Sequence, residues 1–210
     1  MGRASKRRQA KRTNRQTRER IMTEALRLYP LHFPEVPRYG GCVGLTACVI
    51  SAAAGHGVSL FPVAGSLSWR SVSRERDDGI SPDHFSYQFD GFSNPRVAQC
   101  VRQGILPEMH CWATDATGTV VVDASTGKLP IQAERLAGFK EWSAPLPPEW
   151  VWCKASKLAK PGGHEAHYRQ SVQATRFAVT NFIKPAVSAI LLGEPFQSGA
   201  GLIIPSSQRS

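Results

Sequence analysis

No stretch of this chain offers the roughly eighteen consecutive apolar residues that a helix needs to cross a bilayer, so no membrane span is expected. No apolar segment follows the basic start, which excludes the secretory-signal pattern; an Arg-rich, acid-poor start also suits an organelle transit peptide, and that alternative stays open. There is no C-x-x-C pair and no compact Cys/His cluster at zinc-finger spacing, so neither a metal nor another cofactor is expected. The five cysteines, Cys42, Cys48, Cys100, Cys111 and Cys153, are odd in number, and free thiols in a reducing, cytoplasmic setting are the reading that fits. Internal repeats are absent.

Acidic residues are nearly missing from one place. The first twenty residues hold nine Lys or Arg against Glu19 alone, so they carry eight of the ten formal positive charges. The remaining 190 residues are close to neutral, and the basicity belongs to an arm. What is present otherwise is 210 residues with 41% apolar composition, enough for one domain with a sizeable core.

The organisation expected is a disordered basic arm over residues 1–20, a core over 21–160 and a helical extension with a tail over 161–210. Ile21, Ala25 and Leu28 share a helical face that Pro30 ends. "PLHFPEVPRYGG" is an extended connection. "CVGLTACVISAAA" (42–54) predicts a buried helix stopped by Gly55 and Gly57, and "VSLFPVAGSLSW" a strand. "RVAQCVRQG" is a short helix. "MHCWAT" and "TVVVDA", joined by "DATG", predict a hairpin, and "EWVWCKA" one more strand. A helix is expected from about residue 164, kinked at Pro185. Helix, strands, helix is an α+β order.

A thiol is a good nucleophile only as thiolate, and both a helix N-terminus and a neighbouring imidazole favour that form. Cys42 opens the predicted helix after Gly40 and Gly41, whose backbone can turn N–H groups toward an oxyanion. The hairpin supplies a base and its orienting carboxylate, because His110 near the start of one strand and Asp123 near the end of the other stand roughly opposite each other. The carboxylate would fix the ring's tautomer and stabilise the imidazolium while the other nitrogen faces the thiol.

A cysteine at a helix start, "HCW" opening a strand and "VVVDAST" closing a hairpin resemble the transglutaminase-like superfamily and its papain-like core. "AAAGHGVSLFPVAGSLSW" resembles that family's passage from nucleophile helix to strand, and the likeness spans residues 38 to 126. It implies a helix packed on an antiparallel sheet, with Cys42 as nucleophile, His110 as general base and Asp123 as its orienting residue. It further implies an acyl-enzyme formed from an amide or peptide bond, as in a protease, deamidase or transglutaminase, with hydrolysis the default outcome. Trp112 matches an aromatic that follows the family's histidine. No Gln or Trp immediately precedes Cys42, so the second oxyanion donor is unassigned.

Each residue also has a plainer reading. Cys42 and Cys48 suit a core helix, and Cys111, next to His110 on a strand, is expected on the opposite sheet surface and away from the site. His110 could be a core histidine and Asp123 a turn residue. His84, in the aromatic segment "DHFSYQFDGF", is a competing base on a loop that would rim the cleft with Tyr39 and Trp112 as substrate contacts. His56 fits a helix-end turn. His164 and His167 fall on the late helix and lack a third metal ligand. Through Arg7, Arg8, Lys11 and Arg12 the arm would hold nucleic acid, by salt-dependent phosphate contacts, or an acidic partner, unless it is simply solvated. Two further functions remain open: an inactive papain-like binding module, and a basic nucleic-acid-associated structural protein.

Overall fold

A computed structural model describes residues 3–34, 41–71, 84–103, 106–132, 146–158 and 164–196. It is an α+β structure in which helices pack against one antiparallel sheet. Helix α1 runs over Arg3–His32, α2 over Gly41–Gly55 and α3 over Pro95–Arg102. The strands are β1 Phe61–Ser71, β2 His84–Tyr87, β3 His110–Thr114, β4 Val120–Asp123, β5 Val151–Lys154 and β6 His164–Gln170. Helix α4 (Val172–Ala178) continues through a π-helical turn at Val179–Ile183 into α5 (Lys184–Leu192).

The sheet order is β2-β1-β3-β4-β5, with β6 also paired to β1. The long strand β1 pairs with β3 over Phe61 to Gly65, with β2 over Leu67 to Arg70, and with β6 over Gly65 to Ser71. Because Gly65 is shared by the β3 and β6 ladders, those strands flank β1 on opposite sides. The approach there is too close for a side chain: a Cβ at Gly65 would stand 2.1 Å from the Arg169 carbonyl oxygen.

Alternation along the strands divides the core in two. Ala64, Cys111, Ala113 and Val122 meet α2 on one face, whereas Val63, Leu67, Trp69, Phe85, Tyr87, Trp112, Val121 and Ala166 form a second cluster on the other. Helix α2 is apolar on every side, and eleven of its fifteen residues are buried between the sheet, α1 and α5. Gly44 lets α1 lie against it, since a Cβ at that position would come within 2.9 Å of the Tyr29 ring.

Helix α2, strand β1, the β3–β4 hairpin and β5 fall where the sequence pattern placed them. Three features differ, besides His84, expected on a loop and instead the first residue of strand β2, because β1 pairs with it there. The arm expected to be disordered is helical from Arg3, continuous with the segment that buries Ile21, Met22 and Ala25. Residues 3–20 contain no Gly or Pro and are rich in Ala, Arg, Lys and Gln, so propensity favours extending the anchored helix. Arg7, Arg8, Lys11 and Arg12 lie on it, and their side chains are outside the described residues. Pro30 sits inside the last turn rather than ending the helix; one lost N–H there costs little, and Phe33 N still bonds the Tyr29 carbonyl at 2.9 Å.

The third difference matters most for function. Residues 164–170 are strand, and the helix starts only at Val172, where the Ser171 side chain caps the N–H of Ala174. His164 and His167 therefore stand on β6, in the same sheet as His110. Pro185 does mark an irregularity: with no N–H at that position, the helix widens into the π turn just before it.

Candidate active site

Cys42 is the second residue of α2, in the first turn, where backbone N–H groups lack intrahelical acceptors. The helix lies on the sheet face that carries Cys111, and the two thiols meet. The alternation that sets Cys111 opposite His110 holds. The expectation that Cys111 is packed away from the site does not, because α2 covers the Cys111 face. His110, as the first residue of β3, also interacts with the Cys42 thiol.

Asp123 and His110 are cross-strand neighbours on the diagonal. The pairing Ala113↔Val122 sets Asp123 across from Trp112, one alternate position along from His110. His110 Nε2 donates to Asp123 Oδ2 at 2.7 Å, and the two residues are only 1% and 2% exposed. That assignment leaves Nδ1 as the ring nitrogen not engaged by Asp123. Nδ1 is buried without a hydrogen-bond partner among the described residues, and the Cys42 thiol lies near enough to the ring to raise its pKa.

Asp123 is held by more than the imidazole. Tyr168 Oη donates to Oδ2 at 2.8 Å, and the Ser125 backbone N–H and hydroxyl donate to Oδ1 at 2.8 and 2.7 Å. Burial alone would raise its pKa, but the charge and hydrogen bond of His110 and the two bonds from Ser125 outweigh burial and hold it below the usual carboxylate value. Tyr168 is pushed well up, by burial and then by the Asp123 charge, so it stays a donor.

For His110, burial is the largest single influence and favours the neutral ring. The Asp123 charge and hydrogen bond together with Cys42 overcome it and push the imidazole up to about 10. The Cys42 thiol is drawn well down, first by a hydrogen bond from Cys111, against burial, and then by the bond and charge of His110. Cys111 moves the opposite way because it keeps the proton it shares with Cys42 and is itself buried. The arrangement favours a thiolate and imidazolium pair. By contrast, Cys48 in the middle of α2 is pushed up to about 12 by burial, which fits its reading as core.

Aromatic rings enclose the imidazole. Tyr87 stacks on it with centroids 5.2 Å apart, Trp112 lies nearly parallel at 6.2 Å and Tyr168 is tilted against it at 6.1 Å. Tyr87 in turn donates its hydroxyl to Gln132 Oε1. Trp112 is 4% exposed, so its contact is with the ring of His110 and with Tyr168. Such packing keeps water from the ion pair and fixes the ring plane.

The other candidates are placed as follows. Tyr39 lies outside the described residues; His84 pairs with Arg70 in β2, its side chain likewise outside them. His56 is exposed in the turn that closes α2. His167 bonds Glu165 at 2.7 Å on an exposed edge. Among the described residues no three His, Cys, Asp or Glu side chains gather as a metal site, and no helix is long and apolar enough to cross a membrane.

Sequence reasoning missed Ser125, Tyr168 and the contact of Cys111. Ser125 had a signal, since a Ser two residues after an Asp is the spacing of a local side-chain turn. Tyr168 had none, being 45 residues away on a segment read as helix. Tyr168→Phe should keep the ring and lose the donor, with a cost of about 1–2 kcal/mol in denaturant unfolding. An unchanged unfolding midpoint would contradict the role.

The chain matches no family model, and no curated protein or solved structure matches it.

Proposed function

We propose that the chain is a thiol-dependent acyl-transfer enzyme of the transglutaminase-like, papain-like type, acting on an amide or peptide bond through Cys42, His110 and Asp123. One observation carries the reading. The buried His110–Asp123 pair leaves a single ring nitrogen unengaged, and the same ring interacts with the thiol that opens α2.

The Cys42 thiolate attacks the carbonyl carbon of the substrate, and the carbonyl oxygen takes up the negative charge. The N–H groups of the first turn of α2, that of Cys42 among them, lack acceptors within the helix and would donate to it. As the tetrahedral intermediate collapses, the His110 imidazolium gives its proton to the departing amine and a thioester remains on Cys42. Neutral His110 then takes a proton from water, whose oxygen attacks the thioester and releases the acid; an amine in place of water gives transfer. Asp123 holds the ring and its charge through both half-reactions. Five free thiols suit a reducing compartment, where the nucleophile stays unpaired.

Acylation by p-nitrophenyl acetate tests the reading. A burst of about one equivalent of nitrophenol, with the acetyl group mapped to Cys42 and lost in Cys42→Ala, is the expected result. No burst, or an equal burst from Cys42→Ala, would sink the proposal.

A further inference from the structure

The acyl-transfer steps use one thiol, yet two meet at the site. Alternation along β3 turns Cys111 to the sheet face that α2 covers, and Cys42 comes down on that face from the first turn of the helix. The Cys42 sulfur accepts hydrogen bonds from both the thiol and the backbone N–H of Cys111, so two contacts with one residue hold the sulfurs together. Cys42 is 5% exposed and Cys111 fully buried, and both are free. The other cysteines stand elsewhere: Cys48 farther along α2, Cys100 on α3 and Cys153 on β5, with no second thiol acting on Cys48 or Cys153.

A thiolate is the form of cysteine that peroxides oxidise, and a second thiol in contact with it converts the first product into a disulfide. A sulfur so little exposed suits hydrogen peroxide better than a bulky oxidant. Cys111 keeps its proton through its bond to Cys42, through burial and through the Cys42 charge. The first and last of these end once Cys42 becomes a neutral sulfenic acid, and Cys111 is then released to act as a nucleophile on it. In a reducing setting, disulfides that do form are transient, catalytic or redox-sensing.

We propose that Cys42 and Cys111 form a redox switch, in which hydrogen peroxide closes a disulfide between them and stops acyl transfer until a dithiol reopens it. The inference rests on the acyl-transfer reading and adds a regulation to it. In the first step the Cys42 thiolate bonds one peroxide oxygen and the O–O bond breaks. The departing hydroxide takes the proton of the His110 imidazolium and leaves as water, so sulfur is oxidised to the sulfenic acid and peroxide is reduced. In the second step the Cys111 sulfur bonds the Cys42 sulfur, the S–O bond breaks, and the hydroxyl leaves with the Cys111 proton as a second water. Because the sulfurs already touch, closing a bond of about 2.0 Å takes side-chain rotation and a small shift of the first turn of α2. A dithiol reverses the state by exchange and becomes a disulfide itself.

The p-nitrophenyl acetate burst, measured on the native chain before hydrogen peroxide, after it and after dithiothreitol, tests the switch together with non-reducing peptide mapping. The Cys42 and Cys111 peptides should appear joined, the burst should fall about tenfold, and dithiothreitol should restore it. In Cys111→Ser, which keeps a donor beside Cys42 and is compared with its own untreated sample, the same peroxide should carry Cys42 on to the sulfinic acid, and the lost burst should not return. Peroxide that leaves Cys42 unjoined or joins it to another cysteine, a joined pair that keeps its burst, or full recovery in Cys111→Ser overturns the switch alone. If the untreated protein gives no burst, the acyl-transfer reading falls and the switch falls with it.

Discussion

Replacing His110 by alanine should raise the midpoint of the pH profile for Cys42 alkylation by about two units or more. The thiol is 5% exposed, and burial by itself favours the neutral S–H form. Two neighbours oppose burial: the Cys111 thiol by a hydrogen bond, and His110 by a hydrogen bond and a charge. An S–H is a weak donor and carries no charge, whereas an imidazolium held by Asp123 places a full charge against the sulfur. Removing His110 also leaves the Asp123 carboxylate without its cation, which disfavours a nearby thiolate further. Cys111→Ala should accordingly move the midpoint upward by less, about one unit. A larger shift in Cys111→Ala than in His110→Ala would mean that the thiol pair, not the imidazole, controls Cys42. The midpoint is the right quantity to follow, because a more basic thiolate is also a better nucleophile and a single-pH rate mixes the two effects.

Asp123→Ala should destabilise the fold by about 3–5 kcal/mol near pH 7, since it breaks a buried ion pair and removes the acceptor of His110, Tyr168 and Ser125. The pH dependence should change as well. His110 titrates at about 10 in the folded protein against about 6.5 unfolded, so its contribution is complete below 6.5 and is lost as pH rises through 10. Cys42 is depressed below its unfolded value of about 8.5, so its contribution is present above that value and is lost as pH falls through the folded pKa. Between about 6.5 and 8.5 the two cancel in proton count, and wild-type stability should be flat there, falling on the alkaline side through about 10. In Asp123→Ala the ring has lost the charge that kept it protonated, and the alkaline fall from His110 should vanish. Urea unfolding at several pH values checks both statements; a variant with wild-type stability and the same alkaline limb would refute them.

The parts of this fold that were legible in sequence are those whose pattern is local. Thirteen almost wholly apolar residues followed by glycines specify a buried helix, and two β-prone runs around "DATG" specify the hairpin, whatever packs on them. "HEAHYRQ" is different: its residues have no β preference, and it is a strand because β1 extends past β3 and offers an edge from Gly65 to Ser71. Ala166 and Tyr168 do alternate toward the second core cluster, but two positions are too few to outweigh propensity. Misreading that strand hid Tyr168. Cys111 was missed for another reason, since alternation tells which residues share a face of a sheet but not which face α2 will cover. His110 and Asp123 could be paired from the sequence because a short hairpin leaves little freedom of register.

Carbamidomethylation of the native wild-type protein from about pH 5 to 9, with the modified residue mapped at each pH, tests the central claim most directly. A thiolate held by His110 predicts that Cys42 is modified ahead of the more exposed Cys100 and Cys153, at a rate that is level from about pH 7 to 9. A Cys42 that stays unmodified while Cys100 and Cys153 react, or whose rate climbs about tenfold per unit through pH 8 as an ordinary thiol's does, would contradict it.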